Sequence, residues 1–279
     1  MLYVETKTAR IPSIGLGTYT LLGETCSELV AQALQIGYRH VDTAPIYENE
    51  AAVGEGLRYS GVSREEYFVS TKVWYTDIAE GDLERSAEAS LRRLGLDTID
   101  LLLIHWPHPT IPLAESMRAL NRARSSGLTR NIGVSNFPSY LLADAVRLSE
   151  SPLAANQVEY HPYLSQAKVH RGCRDADMAM VAYSPLGRGG DLLNEPAVLT
   201  AASKHSKKPV QILLRWQVQQ EGVVAIPRAE RVEWLRENFD VFDFELAADE
   251  MASISGLRVR NARFYVNEGY DVPEWDANS

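Results

Sequence analysis

The chain has 279 residues, of which 45% are hydrophobic and 23% charged, so it is long enough to bury a sizeable core as an ordinary globular protein. Its formal net charge of −9 argues against nucleic acid as the main partner, because nucleic-acid binding requires a basic surface. The two cysteines, Cys26 and Cys173, lie far apart in sequence and predict neither a disulfide framework nor a metal site.

The sequence carries no signal for export or membrane insertion. No apolar run is long enough to span a bilayer, and residues 1–7 lack the apolar core of a signal peptide. We therefore expect a cytoplasmic chain with neither a membrane nor a nucleic-acid partner.

The first elements are short strands. Residues 2–6 and 9–12 flank a turn, which predicts a β-hairpin over the first twelve residues. A third strand is predicted over residues 14–19. Its Gly15 and Gly17 do not begin a dinucleotide-binding fingerprint, because the third glycine and the immediate helix are missing.

The rest of the chain alternates between strand and helix patterns. Eight strands are predicted, beginning at Ile14, Arg39, Tyr67, Thr98, Asn131, Ala155, Met178 and Val223. Each is followed by helical periodicity, over residues 25–36, 48–59, 81–94, 113–126, 139–148, 166–176, the pair 196–205 and 210–220, and 233–238. The length alone allows one barrel or two domains, but this spacing leaves no room for a second domain. The pattern predicts a single (β/α)8 TIM barrel, an α/β fold, over residues 1–279.

A further helix is predicted over residues 248–255, and residues 257–279 form a C-terminal tail. The tail is rich in charge and in aromatic residues, namely Phe264, Tyr265, Tyr270 and Trp275. It could be a disordered end or a flap over the barrel mouth. The aromatic side chains favour the flap.

Polar residues recur at three consecutive strand ends. Asp42 and Tyr47 follow one strand, Lys72 lies near the end of the next, and His105 ends the third. Each residue alone has a structural explanation, as a turn former, a partly buried lysine or a core histidine. Together they favour chemistry, because parallel α/β folds gather their active sites at the carboxyl ends of strands. A phenol titrates near ~10, so Tyr47 needs a neighbouring cation such as Lys72 to exchange protons at neutral pH.

These residues belong to ordered blocks that resemble the aldo-keto reductase superfamily from residue 14 to about residue 244. The blocks are Gly15-Leu16-Gly17-Thr18, Asp42-Thr43-Ala44-Pro45-Ile46-Tyr47, Ser70-Thr71-Lys72, Leu103-Ile104-His105-Trp106-Pro107, Ile132-Gly133-Val134-Ser135-Asn136-Phe137, Asn156-Gln157-Val158-Glu159-Tyr160-His161-Pro162, Tyr183-Ser184-Pro185-Leu186-Gly187 and Ile226-Pro227-Arg228, leading to Glu237-Asn238. The terminal Pro273-Glu274-Trp275-Asp276 and the short loop after His105 are similar to bacterial 2,5-diketo-D-gluconate reductases of the B type.

The resemblance implies a catalytic role for each of the four polar residues. Tyr47 would be the general acid in carbonyl reduction and the base in alcohol oxidation. Lys72, held by Asp42, would lower the pKa of Tyr47, and His105 would donate a hydrogen bond to the substrate carbonyl. Such donors suit the reaction because hydride arrival leaves an alkoxide-like oxygen that must be stabilised and protonated. No metal is required.

The resemblance also implies a nicotinamide cofactor. Ser135, Asn136 and Gln157 would bind the carboxamide, and Tyr183 would stack on one face of the ring. Ser184, Leu186 and Gly187 would meet the pyrophosphate, with help from Arg188. At the 2′-phosphate site the sequence departs from the family, which commonly has Lys-Ser after Ile-Pro and then an arginine.

At the positions where the family commonly has lysine, serine and arginine around the 2′-phosphate, this chain has Arg228, Ala229 and Trp234. Arg228 keeps a charge that can bind phosphate, Arg231 or Arg236 could replace the missing arginine, and Trp234 could stack on adenine, near Glu237 and Asn238. Alternatively these arginines are a solvated helix start. We expect NADPH to be preferred, with measurable use of NADH.

Three aromatic residues next to strand ends, Tyr19, Trp74 and Trp106, predict a pocket with an apolar wall for a small carbonyl substrate. Short loops over residues 107–112 and 187–196 predict an open mouth and broad use of aldehydes, dicarbonyls and keto-sugars. The leading hypothesis is thus a monomeric NADPH-dependent carbonyl reductase.

Two alternatives remain. A cofactor-binding regulatory subunit would keep the residues from Ser135 to Tyr183 but lose turnover. A barrel acting on phosphorylated sugars without hydride transfer would need a phosphate site after its last strands, but it would have no use for Tyr47 beside Lys72.

Overall fold

The computed structural model describes residues 2–265 and 273–276, and these form an α/β barrel. An eight-stranded parallel sheet follows chain order, each strand pairing with the next. Its strands are β3 (Leu16–Gly17), β4 (His40–Asp42), β5 (Phe68–Val73), β6 (Ile99–Ile104), β7 (Thr129–Ser135), β8 (Ala155–Glu159), β9 (Ala179–Tyr183) and β10 (Val223–Ala225). The sheet curls until Ile14, just before β3, bridges Ala225 of β10. The predicted barrel is confirmed.

The helices lie close to their predicted positions. They are α1 (Gly23–Ile36), α2 (Glu50–Tyr59), α3 (Asp82–Leu94), α4 (Leu113–Ser125), α5 (Ser139–Leu148), α6 (Ala167–Asp175), α7 (Pro196–His205), α8 (Pro209–Val218), α9 (Val232–Phe239) and α10 (Ala248–Ser255). Strand β3 is shorter than predicted and covers only Leu16 and Gly17. Within the described residues, no helix combines the length and the apolar character needed to cross a bilayer.

Strand β6 explains why the barrel has two apolar layers. Its six residues are all buried. Leu101 and Leu103 pack inside the barrel with Val181 and Val224, whereas Leu102 and Ile104 pack outward against the helices. Side chains alternate along a strand, so a strand that is covered on both faces is largely apolar. The exception in β6 is Asp100, whose carboxylate accepts hydrogen bonds from Arg64 and from the Val69 backbone N–H.

The N-terminal hairpin closes the end of the barrel opposite the predicted site. It consists of β1 (Tyr3–Glu5) and β2 (Arg10–Pro12), paired in antiparallel fashion. Ile11 is fully buried and joins the core inside the barrel. The other end, where the strands terminate in their carboxyl ends, therefore remains available for a site.

Close helix packing fixes part of the outer layer. Gly54 of α2 lies against the end of α3, where an added Cβ would stand only 2.2 Å from the carbonyl oxygen of Leu94. Glycine is therefore required at this crossing.

Candidate active site

The four predicted catalytic residues meet at the carboxyl ends of three adjacent strands. Asp42 ends β4, Lys72 lies in β5, and His105 directly follows β6. Tyr47 lies in a short 3-10 turn, Pro45–Tyr47, which the sequence did not predict. The turn brings the phenol back over the strand ends.

Lys72 occupies the centre of this group and is fully buried. Its Nζ donates to Asp42 Oδ1 at 2.6 Å, to the Thr43 carbonyl at 2.9 Å and to Tyr47 Oη at 3.3 Å. An ammonium has three protons, so these acceptors satisfy it completely. Burial lowers the pKa of Lys72, while the Asp42 carboxylate opposes that change.

Asp42 is held by further donors on its other oxygen. Oδ2 accepts from Ser70 Oγ at 2.7 Å and from Gln157 Nε2 at 2.8 Å. Ser70 in turn lies 2.9 Å from His40 Nε2. Neither His40 nor Ser70 was predicted from the sequence to be a site residue. The spacing along the strands could have indicated both residues. Residues two apart on a strand share a face, so His40 lies on the same face as Asp42, and Ser70 lies on the same face as Lys72.

His105 stands beside the phenol, with the ring centroids of Tyr47 and His105 5.8 Å apart. Its Nδ1 is buried and has no hydrogen-bond partner among the described residues, so Nε2 is the nitrogen that can face a substrate. Burial, reinforced by the Lys72 charge, holds the pKa of His105 well below its usual range. The imidazole is therefore neutral at pH 7, with a proton on one ring nitrogen only.

The four residues predicted at the nicotinamide form a continuous network. Tyr183 Oη donates to Asn136 Oδ1 at 2.9 Å, and Asn136 Nδ2 donates to the His105 carbonyl at 3.0 Å and to Ser135 Oγ at 3.1 Å. Ser135 Oγ donates to the Gln157 carbonyl at 2.9 Å. Burial raises the pKa of Tyr183 well above its ordinary value, so it remains a donor. The network joins these positions to the catalytic group.

The loop after β9 has an unusual backbone. Positive φ angles occur at Ser184, Gly187, Arg188, Gly189 and Gly190. Left-handed residues can turn neighbouring N–H groups to one side, as in backbone anion sites. In this loop the N–H groups of Gly187 and Gly189 already donate to the carbonyls of Ser184 and Leu186. At Gly187 an added Cβ would stand 3.0 Å from the Leu192 side chain, and Leu186 packs against the core beside it. This loop and the Arg188 charge fit a pyrophosphate group.

The residues predicted near the 2′-phosphate lie around the end of β10. The Arg228 guanidinium donates to Thr20 Oγ1 and pairs with Glu230 at 2.8 Å. Arg228 is therefore placed at this rim but already has an acidic neighbour.

Helix α9 supplies the remaining predicted positions. The guanidinium of Arg231 lies 5.4 Å from the centre of the Trp234 ring, which is 44% exposed. Glu237 pairs with Lys208, and Asn238 is buried. An exposed ring of this kind offers a flat surface for stacking.

The predicted substrate aromatics differ in accessibility. Tyr19 is 47% exposed, with its ring centroid 5.0 Å from that of Tyr47, and Trp74 lies 5.2 Å from His105. Trp106 is buried, with its ring 5.9 Å from that of Trp275 in the tail. The structure brings Tyr19 and Trp74 to the catalytic group and places Trp106 beneath the tail.

The described parts of the tail dock over the barrel mouth, as predicted for a flap. The buried Glu159 carboxylate accepts the backbone N–H groups of Phe264 at 2.6 Å and Tyr265 at 3.0 Å. Burial alone would raise the pKa of Glu159, but His161 and these two N–H groups lower it. The predicted tail residue Tyr270 lies outside the described residues. No sequence pattern indicated that Glu159 would hold the tail.

A family model described as the aldo/keto reductase family matches residues 13–258. The chain belongs to the aldo/keto reductase family. An aldo-keto reductase of Mycolicibacterium vanbaalenii is 44% identical over 248 residues, which cover 88% of each chain.

Solved structures of aldo/keto reductases show the same architecture. A candidate 2,5-diketo-D-gluconic acid reductase B is 41% identical, with a TM-score of 0.94 over 99% of this chain and 98% of the other. The aldose reductase of Schistosoma japonicum is 31% identical, with a TM-score of 0.89 over 95% and 94% of the two chains. Family membership makes this chain an oxidoreductase of the carbonyl-reducing type.

Proposed function

We propose that this aldo/keto reductase is an NADPH-dependent enzyme that reduces small aldehydes and ketones, with Tyr47 as the general acid. The observation that carries the proposal is the 3.3 Å contact between Lys72 Nζ and Tyr47 Oη, in a site where Lys72 is itself bonded to Asp42 at 2.6 Å. A buried ammonium beside a phenol stabilises the phenolate and so prepares the phenol to release its proton.

The chemistry divides among the four residues. His105, neutral at pH 7, donates through Nε2 to the substrate carbonyl and orients it. Tyr47 delivers a proton to the carbonyl oxygen as negative charge develops there. Lys72 stabilises the phenolate that remains, and Asp42 fixes the position of the ammonium.

The bound cofactor would supply hydride. The residues present fit it: Asn136 and Gln157 carry amide groups that complement a carboxamide, and Tyr183 offers a ring for stacking. In the loop from Ser184 to Gly190, the N–H groups of Gly187 and Gly189 are bonded within the loop, and its other backbone N–H groups would serve a pyrophosphate.

We propose that NADPH is preferred over NADH but that both are used. Arg228 supports phosphate binding, since a guanidinium binds phosphate through two parallel hydrogen bonds. Glu230, paired with Arg228 at 2.8 Å, reduces the net positive charge there and so limits the preference. Equal dissociation constants for the two cofactors would overturn this part of the proposal.

For substrates we propose small aldehydes, dicarbonyls and keto-sugars. The exposed Tyr19 ring and Trp74 form an apolar wall beside the phenol. The relative named for 2,5-diketo-D-gluconic acid supports the keto-sugar class. Activity confined to one bulky ketone in a substrate panel would contradict this.

The deciding experiment is steady-state oxidation of NADPH with methylglyoxal or 4-nitrobenzaldehyde, comparing wild type with Tyr47→Phe. The proposed enzyme turns over and the variant does not, although both bind cofactor. A cofactor-binding regulatory subunit would bind NADPH equally well in both forms and turn over in neither. We also propose a cytoplasmic monomer, which fractionation and light scattering would test.

A further inference from the structure

Behind the catalytic group, a chain of polar side chains continues into the barrel. His40 Nε2 lies 2.9 Å from Ser70 Oγ, and Ser70 Oγ lies 2.7 Å from Asp42 Oδ2. The exposed fractions of these residues are 0%, 1% and 2% for His40, Ser70 and Asp42. Neither His40 nor Ser70 takes part in the proposed proton transfer.

The protons in this chain can be assigned. A carboxylate only accepts hydrogen bonds, so the single hydroxyl proton of Ser70 points to Asp42. Ser70 must then accept, and His40 Nε2 must donate. The other nitrogen, Nδ1, makes no hydrogen bond of ordinary geometry within the described residues, although the Pro12 backbone lies close enough to the ring to raise its pKa. Nδ1 faces Gly15, where an added Cβ would stand 2.7 Å away.

His40 is therefore a neutral donor. Burial lowers the pKa of His40 to about 4, with Asp42 raising it and Lys72 lowering it further. Every proton from His40 to Asp42 points towards the carboxylate. The ionisable groups around Tyr47 itself are Lys72, His105, Tyr19 and Tyr183.

We propose that Ser70 and His40 are positioning residues that keep Asp42 ionised, so that the proton shared within the buried pair stays on Lys72 beside Tyr47. Low polarity favours transfer of that proton from ammonium to carboxylate, giving two neutral groups. Donors to Asp42 Oδ2 oppose the transfer, since hydrogen bonds to a charged acceptor are the stronger kind. His40 keeps the Ser70 hydroxyl aimed at Asp42.

The test reads the phenol of Tyr47 directly. Tyrosine Cζ is labelled with carbon-13, the cofactor-free protein is titrated by NMR, and the Tyr47 signal is identified by its loss in Tyr47→Phe. Ser70→Ala is expected to raise the apparent pKa of Tyr47 by about one unit, because Gln157 remains as a second donor. Ser70→Thr retains the hydroxyl and is expected to restore the wild-type value.

Variants of His40 provide a second test of the inference. His40→Met removes the N–H donor and is expected to raise the same pKa, whereas His40→Gln retains a donor and shifts it less. In a Ser70→Ala background, His40→Met is expected to add nothing, because His40 acts through Ser70. If Ser70→Ala does not fold, the His40 pair tests the same link with the hydroxyl in place.

An unchanged Tyr47 titration in folded Ser70→Ala, or additive shifts in the double variant, would overturn the inference. The role in catalysis rests on the proposed function, but the titration requires neither cofactor nor turnover. A protein that lacks reductase activity and still shows the expected shifts would refute the proposed function and leave this inference standing. In an active enzyme, the basic limb of the kcat profile for reduction is expected to move upward with the phenol pKa.

Discussion

Replacing Lys72 with methionine removes one charge from the candidate active site and keeps much of the apolar side chain. The lost contact is the 3.3 Å approach of Nζ to Tyr47 Oη. At an effective dielectric constant of about 20, a full charge at that distance stabilises the phenolate by roughly 5 kcal/mol. The opposing Asp42 carboxylate, 2.6 Å from the same ammonium, reduces the net effect.

We therefore expect Lys72→Met to lower kcat for carbonyl reduction about 100- to 1,000-fold, equivalent to about 3–4 kcal/mol of transition-state stabilisation. The assay is NADPH oxidation with 4-nitrobenzaldehyde at pH 7, with the cofactor dissociation constant measured separately by fluorescence. Cofactor affinity is expected to change little, because Lys72 lies behind the phenol.

The matched control is the double variant Asp42→Asn with Lys72→Met, which removes both charges of the buried pair. It separates the loss of the ammonium from the cost of leaving a carboxylate unpaired, a cost of about 3–5 kcal/mol in stability when only one partner is removed. A folded Lys72→Met protein that keeps kcat within threefold of wild type would refute the reasoning.

The structure supports three further predictions. Gly54→Ala is expected to lower the free energy of unfolding by about 1–3 kcal/mol, because the added methyl group clashes with Leu94. Gly256→Ala is expected to be neutral or stabilising, because Gly256 has a helical φ of −63° and open space around it. Urea denaturation of the two variants would distinguish these effects. Burial would raise the pKa of Glu250, but its hydrogen bonds lower it to about 2, so its stabilising contribution is present above pH 4.5 and is lost as the pH falls towards 2. Thermal midpoints measured from pH 5 to 2 should therefore fall less steeply in Glu250→Gln, and equal slopes would contradict the assignment. Arg228→Ala is expected to weaken NADPH binding about tenfold and NADH binding little, as measured by fluorescence titration; parallel losses would argue against a phosphate contact.

The fold could be predicted because strand and helix periods alternate along the whole chain. Strand β6 is apolar at every position except Asp100, and α3 carries one apolar stripe, so the pattern of each element indicates which of its faces are buried. The proximity of the predicted catalytic residues could be predicted because parallel strands bring their carboxyl ends together. Asp42, Lys72 and His105 therefore had to be neighbours once the barrel was recognised.

Other features depend on tertiary structure that periodicity does not encode. The 3-10 turn that carries Tyr47 is too short to show a pattern. The bonds of Glu159 to the tail join residues more than a hundred positions apart. His40 and Ser70 could have been found by asking which polar residues share the interior face of their strands with Asp42 and Lys72.

The closure of the barrel has a consequence for the proposed cofactor. The two ends of the sheet meet at the bridge between Ile14 and Ala225, and Arg228, after the last strand, reaches Thr20, after the first. A dinucleotide bound at Arg228 would contact both the first and the last strand of the barrel, which meet where the ring closes. Its binding free energy would then also favour the closed ring, since a ligand that binds one state stabilises that state by mass action.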